Sequence, residues 1–243
     1  MTEEITYNAI DFSVRYCLLR KKEGRIYSDE EVSRLPGIHQ QHQYYKEWKI
    51  RKESSDRLKK YLTTKKRPLR ILEIGAGNGW LSAKLSGISS SHVTGIDINS
   101  EELSQAKRVF SAIENLHFFN CSLQDDPVNN QQFDIIVFAA SIQYFPSLRA
   151  VLNSALGRLE AGGEIHIMDS HFYQANEVNA ARQRTKDYFN RLGFPDMVEQ
   201  YFHHSWNELR SFNSETLYDP GSIINRLKNN KSPFYWFCVK HNA

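Results

Sequence analysis

Three glycines at alternate positions stand out: Gly75, Gly77 and Gly79 in the run Glu73-Ile74-Gly75-Ala76-Gly77-Asn78-Gly79-Trp80. The run follows a short apolar stretch and precedes a helical pattern. Glycines there permit a tight turn and leave backbone amides bare at a helix N-terminus, where a polar ligand can lie. About 20 residues on comes Asp97, at the tip of a second predicted strand. A carboxylate there can accept hydrogen bonds from both hydroxyls of a ribose. The dinucleotide fingerprint G-x-G-x-x-G would require its third glycine at position 80, where Trp80 stands. The spacing therefore favours a nucleoside over a dinucleotide, and a nicotinamide-dependent oxidoreductase becomes the rival reading.

These residues need a scaffold, and residues 69–170 supply one. Short apolar runs alternate with amphipathic segments, which predicts a parallel sheet with crossover helices. The predicted strands are 69–74, 92–96, 116–119, 133–139 and 164–168. The predicted helices are 80–85, 101–113 with Ser100 as N-cap, and 147–159 closed by Gly162-Gly163. Residues 133–139 are apolar enough for burial on both faces. Beyond them, Asn176 is positioned to cap a helix over 177–192 that Gly193 ends. Residues 234–239 read as a late strand, antiparallel because it follows the turn residues Asn229, Asn230, Ser232 and Pro233. The segment 1–68 is polar, aromatic and basic without clean strand patterns. It reads as an N-terminal lid on a main domain spanning 69–243.

Composition narrows the class. The chain has 243 residues, 40% of them apolar and 24% charged, which suits a globular α/β protein. A formal charge of +3 is too small to argue for a polyanion partner. Three scattered cysteines fit neither a disulfide scaffold nor a zinc site. There is no secretory leader pattern and no apolar run of about 20 residues, so the expected location is the cytoplasm, away from any membrane. The basic stretch 46–70 raises a nucleic-acid surface as an alternative. The solvated face of a helix, with Trp48, Leu58, Tyr61 and Leu62 turned inward, explains it better.

The run LEIGAGNGW resembles motif I of the class I S-adenosylmethionine-dependent methyltransferases. The order of strands, turn and acid over about residues 69–170 is similar to that family, with a type 11-like core. The flanks, Lys22 to Glu31 and Lys46 to Lys52, resemble a bacterial group within it. The resemblance implies a doubly wound, Rossmann-like, mostly parallel seven-stranded sheet ending in a C-terminal antiparallel hairpin, for which 200–203 and 234–239 are the candidates. It implies S-adenosylmethionine as cofactor, held by Glu73, Gly75, Ala76, Gly77, Gly79 and Trp80. Asp97 would take the ribose and Ile98 would pack on the adenine. Ser122 stands where many members carry an adenine-binding Asp, and the Leu123 amide would serve the ring. Ala139 and Ala140 would flank the methionine part.

Methyl transfer from a sulfonium is an in-line displacement, so the protein mainly has to align its reactants. Acceptor-side residues are expected at the C-terminal edge of the sheet. The cluster Asp169-Ser170-His171-Phe172-Tyr173 falls there. His171 is its best-placed base, since imidazole titrates near neutral pH, although a loop histidine fits the pattern too. Tyr144 and Gln143 would border the methyl site. Tyr173, Arg184, His203 and, from the lid, Tyr27 complete the candidate acceptor site. No metal site is expected. The turn after the fourth strand lacks the Asn-Pro-Pro-aromatic tetrad of base and amide methylators, so a small-molecule acceptor is preferred. The alternatives are a nucleic-acid methyltransferase and a non-catalytic module that keeps the cofactor fold.

Overall fold

The computed structural model describes residues 2–226 and 232–241. The N-terminal segment folds into α1 (Thr2–Glu23), α2 (Asp29–Arg34) and α3 (Tyr45–Thr63). Then β1 (Leu69–Ile74), α4 (Trp80–Ser86), β2 (Ser91–Asp97), α5 (Ser100–Val109) and β3 (Leu116–Asn120) build one half of the sheet. The other half comes from β4 (Phe133–Ala139), α6 (Leu148–Leu156) and β5 (Leu159–Met168). The remainder is α7 (Val178–Leu192), α8 (Trp206–Leu209), β6 (Asn213–Tyr218), α9 (Ile223–Arg226) and β7 (Trp236–Lys240).

The seven strands run in the order β3-β2-β1-β4-β5-β7-β6. The five from β3 to β5 are parallel, and β7 pairs antiparallel with both β5 and β6. The order reverses between β1 and β4, which opens a crevice at their carboxyl ends where open α/β sheets bind ligands. Apolar layers lie on both sides of the sheet. Ile71, Val93, Ile135 and Val137 pack against Leu58 and Leu62 of α3, Leu81 and Leu85 of α4, and Leu103 of α5. On the other face, Leu72, Ile136, Phe138, Ile165 and Ile167 pack against Leu148, Val151, Leu152 and Ala155 of α6. Strands buried on both faces must be apolar throughout, hence FDIIVFA in β4. Among the described residues, no helix is long and apolar enough to cross a membrane.

Several predicted boundaries move, each for a local reason. Asn99, not Ser100, caps α5: its side-chain oxygen accepts from the amides of Glu101 (3.1 Å) and Glu102 (3.3 Å). The helix 147–159 is shorter. Ser147 caps α6 through the Ala150 amide, and the helix stops at Gly157. β5 begins at Leu159, before the glycines. Leu159 faces Phe133 and Glu164 faces Ile135, so the residues between them bulge out, with Gly162 left-handed at φ 75°. Asn176 does not cap α7. Its N-cap is Glu177, without a side-chain bond, while Gly193 ends the helix at φ 85° as expected.

The reversed hairpin pairs β7 with 213–218, not with 200–203. Residues 201–204 are instead laid across the sheet's edge. The Phe202 amide donates to Gln143 O (2.7 Å), and the Tyr173 amide donates to His204 O (3.0 Å). The true edge strand, NSETLY, is almost wholly exposed and polar. A charged, solvated edge resists pairing with other chains, but it carries no alternating apolar signal. The turn residues Asn229 and Asn230 lie outside the described residues.

Candidate functional site

A cavity of about 580 Å³ lies over the carboxyl ends of β1, β2 and β4, a size typical of ligand sites. Its floor is the glycine turn. Gly75 has φ 79°, and a Cβ there would come within 2.5 Å of Ser141 Cβ, so only glycine lets β1 turn against the end of β4. The Gly77 amide donates to Asp97 Oδ2 (2.8 Å), and the Asn99 amide donates to Asp97 Oδ1 (2.8 Å). A carboxylate has about four acceptor positions. These amides, with that of Ile98 also directed at the carboxylate, leave acceptor capacity for a ribose hydroxyl.

Of the residues expected to hold a nucleoside, Gly75, Gly77, Asp97, Ile98, Ser122, Leu123 and Ala140 line this cavity. Ile98 is 41% exposed, an apolar side chain left open at the rim. Ser122 donates its hydroxyl to Asp125 Oδ2 (2.7 Å), which orients its oxygen. Five others stand behind the wall. Glu73 is buried under the turn and accepts from Ser82 Oγ of α4 (2.5 Å). Ala76 and Trp80 belong to the core, Trp80 with its ring edge-on to Trp48. Gly79 starts α4 in the left-handed region, and Ala139 packs on the inner layer. Their part is to shape the turn.

The acceptor-side candidates divide similarly. Tyr144 lines the cavity and accepts a hydrogen bond from Arg20 Nη2 (2.9 Å). Gln143 does not line it. Its amide donates to Ala140 O (2.6 Å), and its Oε1 accepts from Ser170 Oγ (3.0 Å), bracing the ends of β4 and β5. His171 is exposed and packs on Phe234 with ring centroids 4.6 Å apart, outside the cavity. Tyr173 joins His171 and His203 in a separate ring cluster. Arg184 is exposed on α7. His203 is buried with Nε2 2.9 Å from Thr185 Oγ1, and burial pushes its pKa down to about 4. His204 is buried as well, with Nε2 3.1 Å from Ile142 O. Tyr27 is buried and accepts from Trp48 Nε1 (2.8 Å).

Other contributors carried no motif. Phe12 and Tyr16 of α1 wall the cavity, and Arg20 lies over the Tyr16 ring at 4.6 Å. Their spacing of four residues puts all three on one helix face, the one signal that would have found them. Glu102 of α5 also faces the cavity. Burial and the neighbouring Asp97 raise its pKa to about 7. Asp97 is raised by burial too, and the amides bonded to it oppose that shift.

Five of the eleven basic residues in the stretch 46–70 pair with acids. Arg51 pairs with Glu47, Lys52 with Asp56, Lys65 with Glu164, Arg67 with Asp134 and Arg70 with Glu160. Between β5 and β7, Glu164, His166 and Cys238 bring potential metal-ligand atoms within 4.8 Å of one another. Two of them are already engaged: Glu164 faces Lys65 (2.8 Å) and Lys240 (3.5 Å), and His166 Nδ1 accepts from Trp236 Nε1 (3.1 Å).

Residues 71–163 match the model of a protein family described as a methyltransferase domain. Over that segment the chain is similar to a methyltransferase domain. The glycine turn, Asp97 and β4 of the cavity all fall inside the matched segment. Methyltransferases of class I take their methyl group from S-adenosylmethionine, as the resemblance of motif I implied. Solved structures share the fold. The plantazolicin methyltransferase BpumL, in complex with S-adenosylhomocysteine, is 15% identical over 98% of this chain and 100% of its own, with a TM-score of 0.55. Magnesium protoporphyrin IX methyltransferase from Synechocystis, with bound S-adenosylhomocysteine, is 13% identical over 86% of this chain and 93% of its own, at 0.58. A cyclopropane-fatty-acyl-phospholipid synthase-like protein from Lactobacillus casei is 18% identical over 88% and 98%, also at 0.58. No curated protein matches this chain by sequence.

Proposed function

We propose that this methyltransferase binds S-adenosylmethionine in the 580 Å³ cavity and methylates a small-molecule acceptor. The observation that carries the reading is Asp97, bonded to the Gly77 amide yet with acceptor capacity to spare at the cavity wall. In this assignment Asp97 holds the ribose, Ile98 covers the adenine, and Ser122 and Leu123 border the ring. Gly75, Gly77 and Ala140 leave backbone open to the methionine part. The bound cofactor supplies an activated methyl group on a sulfonium. The protein's own work is to orient the acceptor and exclude water.

A small acceptor is favoured on two grounds. Phe12, Tyr16 and Tyr144 line the cavity with aromatic rings that suit a small acceptor. Arg51, Lys52 and Lys65 of the basic stretch are engaged with acids, which reduces the charge it can offer to phosphates. Two of the methyltransferases of similar fold are named for plantazolicin and magnesium protoporphyrin IX. Residues 1–68 act as the lid, and 69–243 as the catalytic domain.

Calorimetry with S-adenosylmethionine, S-adenosylhomocysteine and NADH tests the proposal. The two adenosyl compounds are expected to bind and NADH is not. Binding of NADH alone would overturn it. Release of labelled methyl groups to small molecules then separates an enzyme from a non-catalytic module.

A further inference from the structure

Glu102 stands three residues after Asn99, the N-cap of α5. A glutamate there ordinarily reaches back and takes the N-cap amide. Here Asp97 Oδ1 takes that amide at 2.8 Å, so the Glu102 carboxyl is released from capping and lines the cavity. Its one hydrogen bond among the described residues is weak, from Asn99 Nδ2 to Oε2 at 3.4 Å, and Oε1 has no partner among them. A Cβ on Gly77 would lie 3.3 Å from Glu102 Oε2, and the Gly77 amide donates to Asp97 Oδ2 (2.8 Å). The two carboxyls thus flank one glycine of the turn, and both line the same cavity.

No cation answers them. Among the described residues, no lysine, arginine or histidine lines the cavity. The charged groups facing Glu102, besides Asp97, are Arg20 of α1 and Arg51 of α3. Arg20 is committed to Glu23 (2.7 Å) and Tyr144 (2.9 Å), and Arg51 to Glu47 (3.0 Å). A half-buried carboxyl that neither caps a helix nor closes an ion pair is costly to hold. A ligand that brings hydroxyl or ammonium donors removes that cost.

We infer that Glu102 is the second carboxyl of the nucleoside site and takes the ribose hydroxyl that Asp97 leaves over. The inference rests on the cofactor reading above. The amides of Gly77, Ile98 and Asn99 are all directed at Asp97. A carboxylate has about four acceptor positions, so about one remains there for a hydroxyl. A ribose diol brings two hydroxyl protons. The second meets Glu102 on the other side of Gly77, where the missing side chain leaves the space open. Glu102 accepts in either protonation state, since a protonated carboxyl keeps its carbonyl oxygen. The ammonium of the amino-acid tail is the other donor a carboxyl could hold, and the test separates the two.

Calorimetry of the complete chain with S-adenosylhomocysteine and with its 2′-deoxy and 3′-deoxy forms tests the division. Glu102→Ala is expected to weaken S-adenosylhomocysteine about 5- to 50-fold, the range of one hydrogen bond to a carboxyl. Glu102→Gln keeps an acceptor and the side-chain volume, and is expected to stay within about threefold of the parent. With one deoxy form the Glu102→Ala loss is expected to vanish, because the hydroxyl that Glu102 serves is gone. With the other it is expected to persist, because the missing hydroxyl belongs to Asp97. A Glu102→Ala loss below about twofold overturns the inference and leaves the cofactor reading standing. So does a loss of equal size with all three ligands, which assigns Glu102 to the ammonium of the tail. Failure of the parent to bind S-adenosylhomocysteine overturns both. Where a deoxy form binds too weakly to measure, a crystal of the parent with S-adenosylhomocysteine decides. A ribose hydroxyl within about 3.2 Å of the Glu102 carboxyl upholds the inference, and a ribose turned away from it overturns it.

Discussion

The Gly77 amide donates to Asp97 Oδ2 at 2.8 Å, joining the turn after β1 to the tip of β2 across 20 residues of chain. In the proposed assignment this one contact fixes both halves of the nucleoside cradle. The bond also holds the carboxylate in one orientation, so a ribose bound there would meet a preset acceptor with little ordering left to do.

Asp97→Ala is expected to weaken S-adenosylhomocysteine binding by about 1.5–3 kcal/mol, the range for hydrogen bonds to a charged group. Calorimetry measures it. An unchanged dissociation constant would remove Asp97 from the site.

Gly75→Ala is expected to destabilise the fold by about 1–3 kcal/mol through its left-handed backbone, beyond any clash. The clash is with Ser141 Cβ, 2.5 Å from the added carbon. Urea unfolding of the single variant and of Gly75→Ala with Ser141→Gly should differ, the second change recovering the part due to contact. Equal midpoints would assign the whole loss to the backbone.

Tyr144→Phe removes the acceptor for Arg20 Nη2 and leaves a half-buried guanidinium with one partner fewer. The docking of α1 is expected to weaken by about 1–3 kcal/mol, speeding amide exchange in that helix by about 5- to 150-fold. Exchange measured at residues 12–22 by mass spectrometry reads this out. Unaltered protection would show that the rings of Phe12 and Tyr16 hold the helix without the hydrogen bond.

Glu73 gives the fold a dependence on pH. Burial raises its carboxyl from 4.5 to about 8. A raised acid binds its proton more tightly when folded, so its contribution is complete below the unfolded value and is lost as pH rises through the folded one. Glu73→Gln, which still accepts from Ser82, has no such loss. The variant's stability relative to the parent is expected to improve steadily between about pH 4.5 and 8 in urea titrations. A constant difference across that window would mean that Glu73 is ionised in the fold.

Much of this was legible in the residues themselves. The parallel strands announce themselves because burial on both faces demands unbroken apolar runs, as in Phe133 to Ala139. The glycine turn and Asp97 are legible because local geometry admits few other residues. The edge strand 213–218 was not, because a solvated edge has no reason to alternate. Phe12 and Tyr16 are not legible as cavity residues because their partners, Tyr144 and the β2 tip, lie far along the chain. His171 drew attention by chemical type, yet its ring packs on Phe234, while Asp169, two positions earlier, is buried. Which side chain of a polar cluster turns inward is decided by backbone twist at a strand end, and residue type does not encode it.

The first helix touches the tip of β2 through Ser13, whose hydroxyl donates to Ile98 O (3.0 Å), and through Cys17, 3.5 Å from Asn99 Oδ1. The rings of Phe12 and Tyr16, the Arg20–Tyr144 hydrogen bond and the Arg15–Asp196 pair add to these two latches. In the proposed lid role this helix, held by several small contacts, is the part that would lift to admit the cofactor. A variant without it is expected to load quickly and to keep water out poorly.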